Sequence, residues 1–111
     1  MPKRIEDIVY RFAQMMKLIF GSNLEKVIVY GSYARGNYRK NSDVDVMILV
    51  DLPENEIKKM ENTVYDVAFD IEMDTGVDIS PVIKSRQQFE YWVDTLPYYR
   101  NVREEGVTVF E

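Results

Sequence analysis

The sequence contains no cysteine and no histidine. Without cysteine there is no disulfide, no thiol nucleophile and no thiolate zinc site, and without histidine the usual neutral-pH base and transition-metal ligand are gone. Whatever chemistry the chain performs belongs to carboxylates, hydroxyls, lysines and arginines. Long apolar runs are missing too: no stretch approaches the roughly 18 apolar residues of a membrane span. The N-terminal "MPKRIEDIVYRF" is amphipathic rather than leader-like, so the expected location is the cytoplasm, with no membrane partner. Positive charge is in short supply, since 14 Lys and Arg face 19 Asp and Glu for a net charge of -5. Attraction to a nucleic-acid backbone is therefore unlike this chain, and no direct nucleic-acid partner is expected. Repeats, low-complexity segments and linkers are absent. The 111 residues read as one domain, 1–111, with space for a single core and none for a separate acceptor-binding lobe.

What is present is a regular succession of periodic segments. Ile5, Ile8, Val9, Phe12, Met15, Met16 and Ile19 recur at intervals of three and four and predict a helix from Arg4 to Phe20, stopped by Gly21. "KVIVY" (Lys26 to Tyr30) and Val44 to Val50 predict strands, the second with Val44, Val46 and Ile48 on one face and Asp45, Met47 and Leu49 on the other. Asp51 and Glu54 have the spacing of a capping box, with Pro53 in the first turn of a long helix ending near Gly76. Val77 to Ile83 predicts a third strand, which Pro81 confines to an edge or a bulge. Ser85 and Gln88 repeat the capping pattern before a helix through Phe89 and Trp92; a short helical segment after Pro97 that reaches Glu105 and, beyond Gly106, a last strand, "VTVF", complete the chain. The order α-β-α-β-α-β-α-α-β gives an α/β (α+β) architecture, a small β-sheet with helices packed on it. Met15 and Met16 read as core filling, and Tyr91, Trp92, Tyr98 and Tyr99 as packing of helices on the sheet or as an aromatic partner surface.

The chemistry concentrates in "VIVYGSYARGNYRKNSDVDVMILVD". Residues two apart on a strand share a face, so Asp43 and Asp45 project together. Carboxylates that close raise one another's proton affinity unless a cation lies between them, and an all-oxygen donor set suits Mg²⁺ or Mn²⁺. Just upstream, Gly31 permits close backbone approach, and Ser32 begins a short helical turn, "SYAR", with free N–H groups suited to phosphate. A nucleoside triphosphate carrying Mg²⁺ uses both features together.

With "GSYARG", a short spacer and "SDVDVMILV", the sequence resembles the nucleotidyltransferase superfamily of DNA polymerase beta, and more closely its minimal nucleotidyltransferases, over nearly the whole chain. The resemblance implies the nucleotidyltransferase fold, with a mixed sheet. It also implies that Gly31 and Ser32 hold the triphosphate of ATP and that Asp43 and Asp45 bind two Mg²⁺ ions. Asp78, in "VDISPV", takes the place of the third aspartate, completing the second metal site and helping to take the proton of an acceptor hydroxyl. Asp70, Glu72 and Asp74 are rivals for that place. Arg35 either reaches phosphate or pins the loop through backbone carbonyls, and Arg39 and Lys40 are spacer charges that could touch phosphate or only solvent. Minimal nucleotidyltransferases pair typically with a HEPN-domain protein, which implies an antitoxin attaching AMP to a tyrosine of an RNase-like toxin. A binding module that neutralises its partner by contact alone, or one half of a small-molecule nucleotidyltransferase, are the competing readings.

Overall fold

The computed structural model describes all 111 residues. Its four strands, β1 (Leu24–Tyr30), β2 (Val44–Val50), β3 (Ile79–Ser85) and β4 (Val107–Phe110), form one sheet in the order β3-β2-β1-β4. β1 runs antiparallel to β2 and β4, whereas β2 and β3 are parallel. A parallel pair needs a crossover, and the long helix α3 (Glu54–Thr75) supplies it. The other helices are α1 (Lys3–Phe20), the short α2 (Ser32–Arg35), α4 (Arg86–Trp92) and α5 (Pro97–Glu105). The result is the mixed α/β sheet expected from the sequence.

Alternation along β2 feeds two cores. Val44, Val46, Ile48 and Val50 join Val27 and Val29 beneath α1 and α3, where Val9, Phe12, Met16 and Val64 are fully buried. Met47 and Leu49 join Ile28 on the opposite face, under Val93, Tyr99 and Val102 of the α4–α5 segment. Both faces being covered, every residue of β2 except Asp45 is buried. Asp45 therefore stands at the edge of the smaller core, where helical cover ends.

Several boundaries differ from the sequence expectation, each for a local reason. Asp51 does not cap α3; Pro53 occupies the N-cap position and precedes the helix, while Asp51 pairs with Arg86 at 3.2 Å. An ion pair across the sheet end has replaced the local cap. Met15 is exposed and only Met16 fills the core, because the buried stripe follows Phe12, Ala13 and Met16. β3 begins at Ile79, so Asp78 precedes the strand rather than lying within it. Ser85 does cap α4, accepting from the Gln88 N–H at 2.9 Å, but the reciprocal half of the box is missing and Gln88 Oε1 is buried without a partner. Of the aromatic group, Tyr99 is buried whereas Tyr91 and Tyr98 are exposed.

Pro81 sits on the open edge of the sheet, as expected. The Val44 N–H donates to the Asp78 carbonyl at 2.9 Å, which turns the even-numbered residues of β3 toward β2 and the odd-numbered ones outward. The donor that Pro81 lacks is thus one the ladder never uses, and its absence discourages pairing with another strand.

Candidate active site

β1 runs directly into Gly31, whose φ of 75° and ψ of -151° lie in a region reserved for glycine. That conformation reverses the chain into α2 and brings the Asp45 carboxylate against the glycine, so that a Cβ on Gly31 would collide with Asp45 Oδ2. The sheet register explains the approach: Tyr30 is the cross-strand neighbour of Asp45. Tyr33 anchors α2 in the larger core and stacks on Tyr38 at 4.6 Å between ring centroids, which ties down the spacer. The first N–H groups of α2 have no intrahelical acceptor and no side-chain cap. They lie beside the half-buried Ser32, an arrangement able to accept an anion.

The spacer closes in a tight turn, the Ser42 N–H donating to the Arg39 carbonyl at 3.0 Å and the Arg39 N–H to Ser42 Oγ at 2.7 Å. Asp43 follows. The hydrogen bond from Val44 to Asp78 then sets the ends of β2 and β3 side by side and places Asp43 next to Asp78. Asp43 is the carboxylate that the other two share: its charge acts on Asp45 and on Asp78. No three carboxylates gather within one coordination sphere. The arrangement is two pairs with Asp43 in common, and its all-oxygen donor set fits a hard divalent cation.

The remaining expected residues sit around this centre. Arg35 is exposed and its guanidinium meets Glu105 of α5 at 3.6 Å rather than loop carbonyls, while its charge also reaches Asp45. Lys40 lines, with Tyr33, Ser42, Asp43, Glu72 and Asp78, a polar cavity of about 310 Å³. Glu72 was a rival to Asp78 on the preceding helix; the structure puts both in the same cavity, because Gly76, in the left-handed conformation, folds the end of α3 back toward the start of β3. Asp74 instead pairs with Arg11 at 2.6 Å. The sequence reading missed a hydroxyl pair: Tyr98 donates to the Tyr30 hydroxyl at 3.0 Å, which links α5 to the residue facing Asp45. Only the tyrosine-rich composition hinted at it. A second cavity of about 300 Å³, beneath α4 and α5 and lined by Ile28, Leu49 and Phe89, contains none of the three aspartates.

Burial raises the pKa of Asp45, and the neighbouring Asp43 charge adds to it against a smaller opposing effect of Arg35. Asp78 is also raised, first by desolvation, then by Asp43 and Glu72; Asp43 can accept a hydrogen bond from it only while Asp78 keeps a proton. A carboxyl raised in the folded state binds more protons than it does unfolded, so its contribution to stability is full below its unfolded value and is lost as pH rises through the folded one. In metal-free buffer, wild-type stability relative to Asp78→Asn should therefore fall as pH rises above the unfolded carboxylate value of about 4. Denaturant unfolding of both proteins in a chelator measures it; a flat or rising difference rejects the like-charge account.

Residues 9–105 match the model of the nucleotidyltransferase domain family. Two proteins of Methanocaldococcus jannaschii, both named "Putative protein adenylyltransferase", are similar along nearly their whole length. One is 29% identical over 105 residues, covering 95% of this chain and 97% of the relative. The other is 33% identical over 95 residues, covering 86% and 94%. Among solved structures, the "putative nucleotidyltransferase" from Sulfolobus solfataricus aligns with a TM-score of 0.56 at 21% identity, over 95% of this chain and 78% of that one. A structure described as a toxin-antitoxin with AMP-PNP aligns with a TM-score of 0.56 at 16% identity, over 91% and 72%. These two likenesses show a shared fold.

Proposed function

This chain belongs to the nucleotidyltransferase domain family, and from that premise we propose that it transfers AMP from ATP to a tyrosine hydroxyl of a HEPN-type RNase toxin, acting as its antitoxin. The observation that carries the reading is the approach of the Gly31 turn to the Asp45 carboxylate, which Asp43 links in turn to Asp78: a phosphate-binding feature set against an all-oxygen cation-binding one. Gly31, Ser32 and the open N–H groups of α2 would receive the triphosphate, with a contribution from Arg35, whose charge reaches Asp45. Asp43 and Asp45 would hold Mg²⁺, and Asp78 would complete a second metal position. Bound there, Mg²⁺ offsets charge on the α-phosphate and on departing pyrophosphate. The acceptor oxygen bonds to the α-phosphorus, the bond to the bridging oxygen breaks, pyrophosphate leaves with its electron pair, and Asp78 takes the hydroxyl proton. The names of the Methanocaldococcus relatives favour a protein acceptor, and a net charge of -5 complements a basic, RNA-binding partner. We further propose that residues 1–111 act as a single domain in the cytoplasm; no helix is long and apolar enough to cross a membrane.

Label from α-labelled ATP should appear on the co-expressed HEPN-type partner with Mg²⁺ and not without it. ATP with Mg²⁺ should also raise the unfolding midpoint, the stabilisation reaching about 2.7 kcal/mol at a hundredfold excess over Kd. Intact partner binding with no transfer under any nucleotide or metal would leave a non-catalytic binding module. Label on a small molecule and on no protein would indicate an antibiotic-type enzyme half.

A further inference from the structure

α3 carries an apolar stripe that covers nothing. Tyr65, Phe69 and Met73, four residues apart and so on one face of the helix, are 46%, 57% and 64% exposed. The adjacent row of Val64, Ala68 and Glu72 turns inward, Val64 and Ala68 being buried in the larger core. The stripe thus overhangs the sheet's open edge. Tyr65 and Phe69 there form a shallow hollow with Ala68, Ile79 and Pro81, whose floor reaches Glu72 and Asp78. Glu72 and Asp78 also line the polar cavity that holds Asp43. An occupant of the stripe would consequently have its end at the catalytic carboxylates.

The rim identifies the occupant. From Glu61 to Asp78 the chain has Glu61, Asp66, Asp70, Glu72, Asp74 and Asp78 and no lysine or arginine. Of these only Asp74 has an ion-pair partner, Arg11, although Arg4 and Lys40 line the cavity at the Glu72 and Asp78 end. Strand addition is a poor alternative, because Pro81 removes a donor from the middle of the open edge. Single-stranded nucleic acid would meet a wall of like charge.

We propose that this stripe is the acceptor-docking surface, and that it takes an amphipathic helical segment of the partner protein whose apolar residues lie along Tyr65, Phe69 and Met73 and whose lysines and arginines face the acidic rim. The acceptor role rests on the adenylyl-transfer reading above; the surface and its charge preference do not. Docked this way, the partner presents its hydroxyl past Glu72 to Asp78.

The probe is a fluorescein-labelled amphipathic peptide of about 15 residues, leucine on one face and lysine on the other, with a leucine–glutamate twin as control. The lysine peptide should bind the wild-type protein, and its affinity should drop about tenfold in the Tyr65→Ser, Phe69→Ser double variant. Leu18→Ser, at a site 79% exposed on α1, should leave binding unchanged. The double variant should also raise KM for the HEPN-type partner, with kcat and the midpoint rise given by ATP and Mg²⁺ both retained. Equal binding of the two peptides, undiminished binding by the double variant, or preference for a single-stranded RNA probe would each overturn the surface. Unimpaired transfer by the double variant overturns the surface and spares the enzyme. If wild type transfers nothing while the peptide differences hold, it is the enzyme that fails and the surface that stands.

Discussion

Asp45→Asn should lower AMP transfer about 10³-fold or more, equivalent to about 4 kcal/mol of transition-state stabilisation, while leaving the fold intact. The substitution keeps the shape of the side chain and removes its charge. Asp45 is the only residue of β2 that is not buried, its carboxylate lies against Gly31, and Asp43 is close enough to raise its pKa. On the proposed reading, a neutral amide there would weaken the cation site where it meets the Gly31 turn. Asp43→Asn should cost at least as much, because Asp43 is shared with Asp78 as well. The double variant should lose little beyond either single one, since groups acting as one unit are strongly non-additive. In a chelator the consequence for stability reverses: removing one of two adjacent like charges should leave the unfolding midpoint unchanged or slightly higher. Single-turnover transfer with labelled ATP and thermal melts with and without Mg²⁺ separate the two effects. Activity within tenfold of wild type would remove Asp45 from the site, and a marked drop in the metal-free midpoint would make it structural.

Gly31→Ala should destabilise the protein by about 2 to 3 kcal/mol and abolish the midpoint rise produced by ATP with Mg²⁺. Two separate costs combine. At φ 75° and ψ -151° an L side chain is strained by roughly 1 to 3 kcal/mol whatever surrounds it. The new methyl would also collide with the Asp45 carboxylate, and Asp45 cannot retreat into Met47 and Leu49 without opening the smaller core. A double-mutant cycle tells the costs apart: Asp45→Ser should recover the part due to collision and none of the part due to backbone strain. If Gly31→Ala melts within about 2 °C of wild type, less than 1 kcal/mol would move it, the close approach of turn and carboxylate does not exist in solution.

The local elements were legible because their signals are local. The strand from Val44 to Val50 has the predicted bounds and the helix that begins at Pro97 has the predicted end at Glu105, set by β-branched alternation, by proline in the first helical position and by the glycine that follows. Ser85 caps its helix as its spacing to Gln88 requires. The expectation failed where a distant partner outbid a local one: Asp51 left its capping role for Arg86, and Met15 lost its place in the core because helix rotation is fixed by the whole buried stripe. Sequence alone does not choose between Glu72 and Asp78. The position of Glu72 beside Asp78 depends on how α3 returns to the sheet, which periodicity does not encode.

By itself the sequence determined the chemical inventory and the residues proposed for the donor half of the site. Without histidine or cysteine the cation donors must be oxygen, and strand alternation alone puts Asp43 and Asp45 on one face. Only the tertiary structure decided which of the later acids joins them and what lies beyond. Parallel pairing of β2 with β3 brings Asp78 to Asp43, the left-handed turn at Gly76 brings Glu72, and the overhang of α3 runs an uncovered apolar stripe into that corner. The first is a contact between segments far apart in the chain, fixed by burying two apolar faces of one sheet, and the local turn at Gly76 gains its meaning only once β3 is paired beside β2.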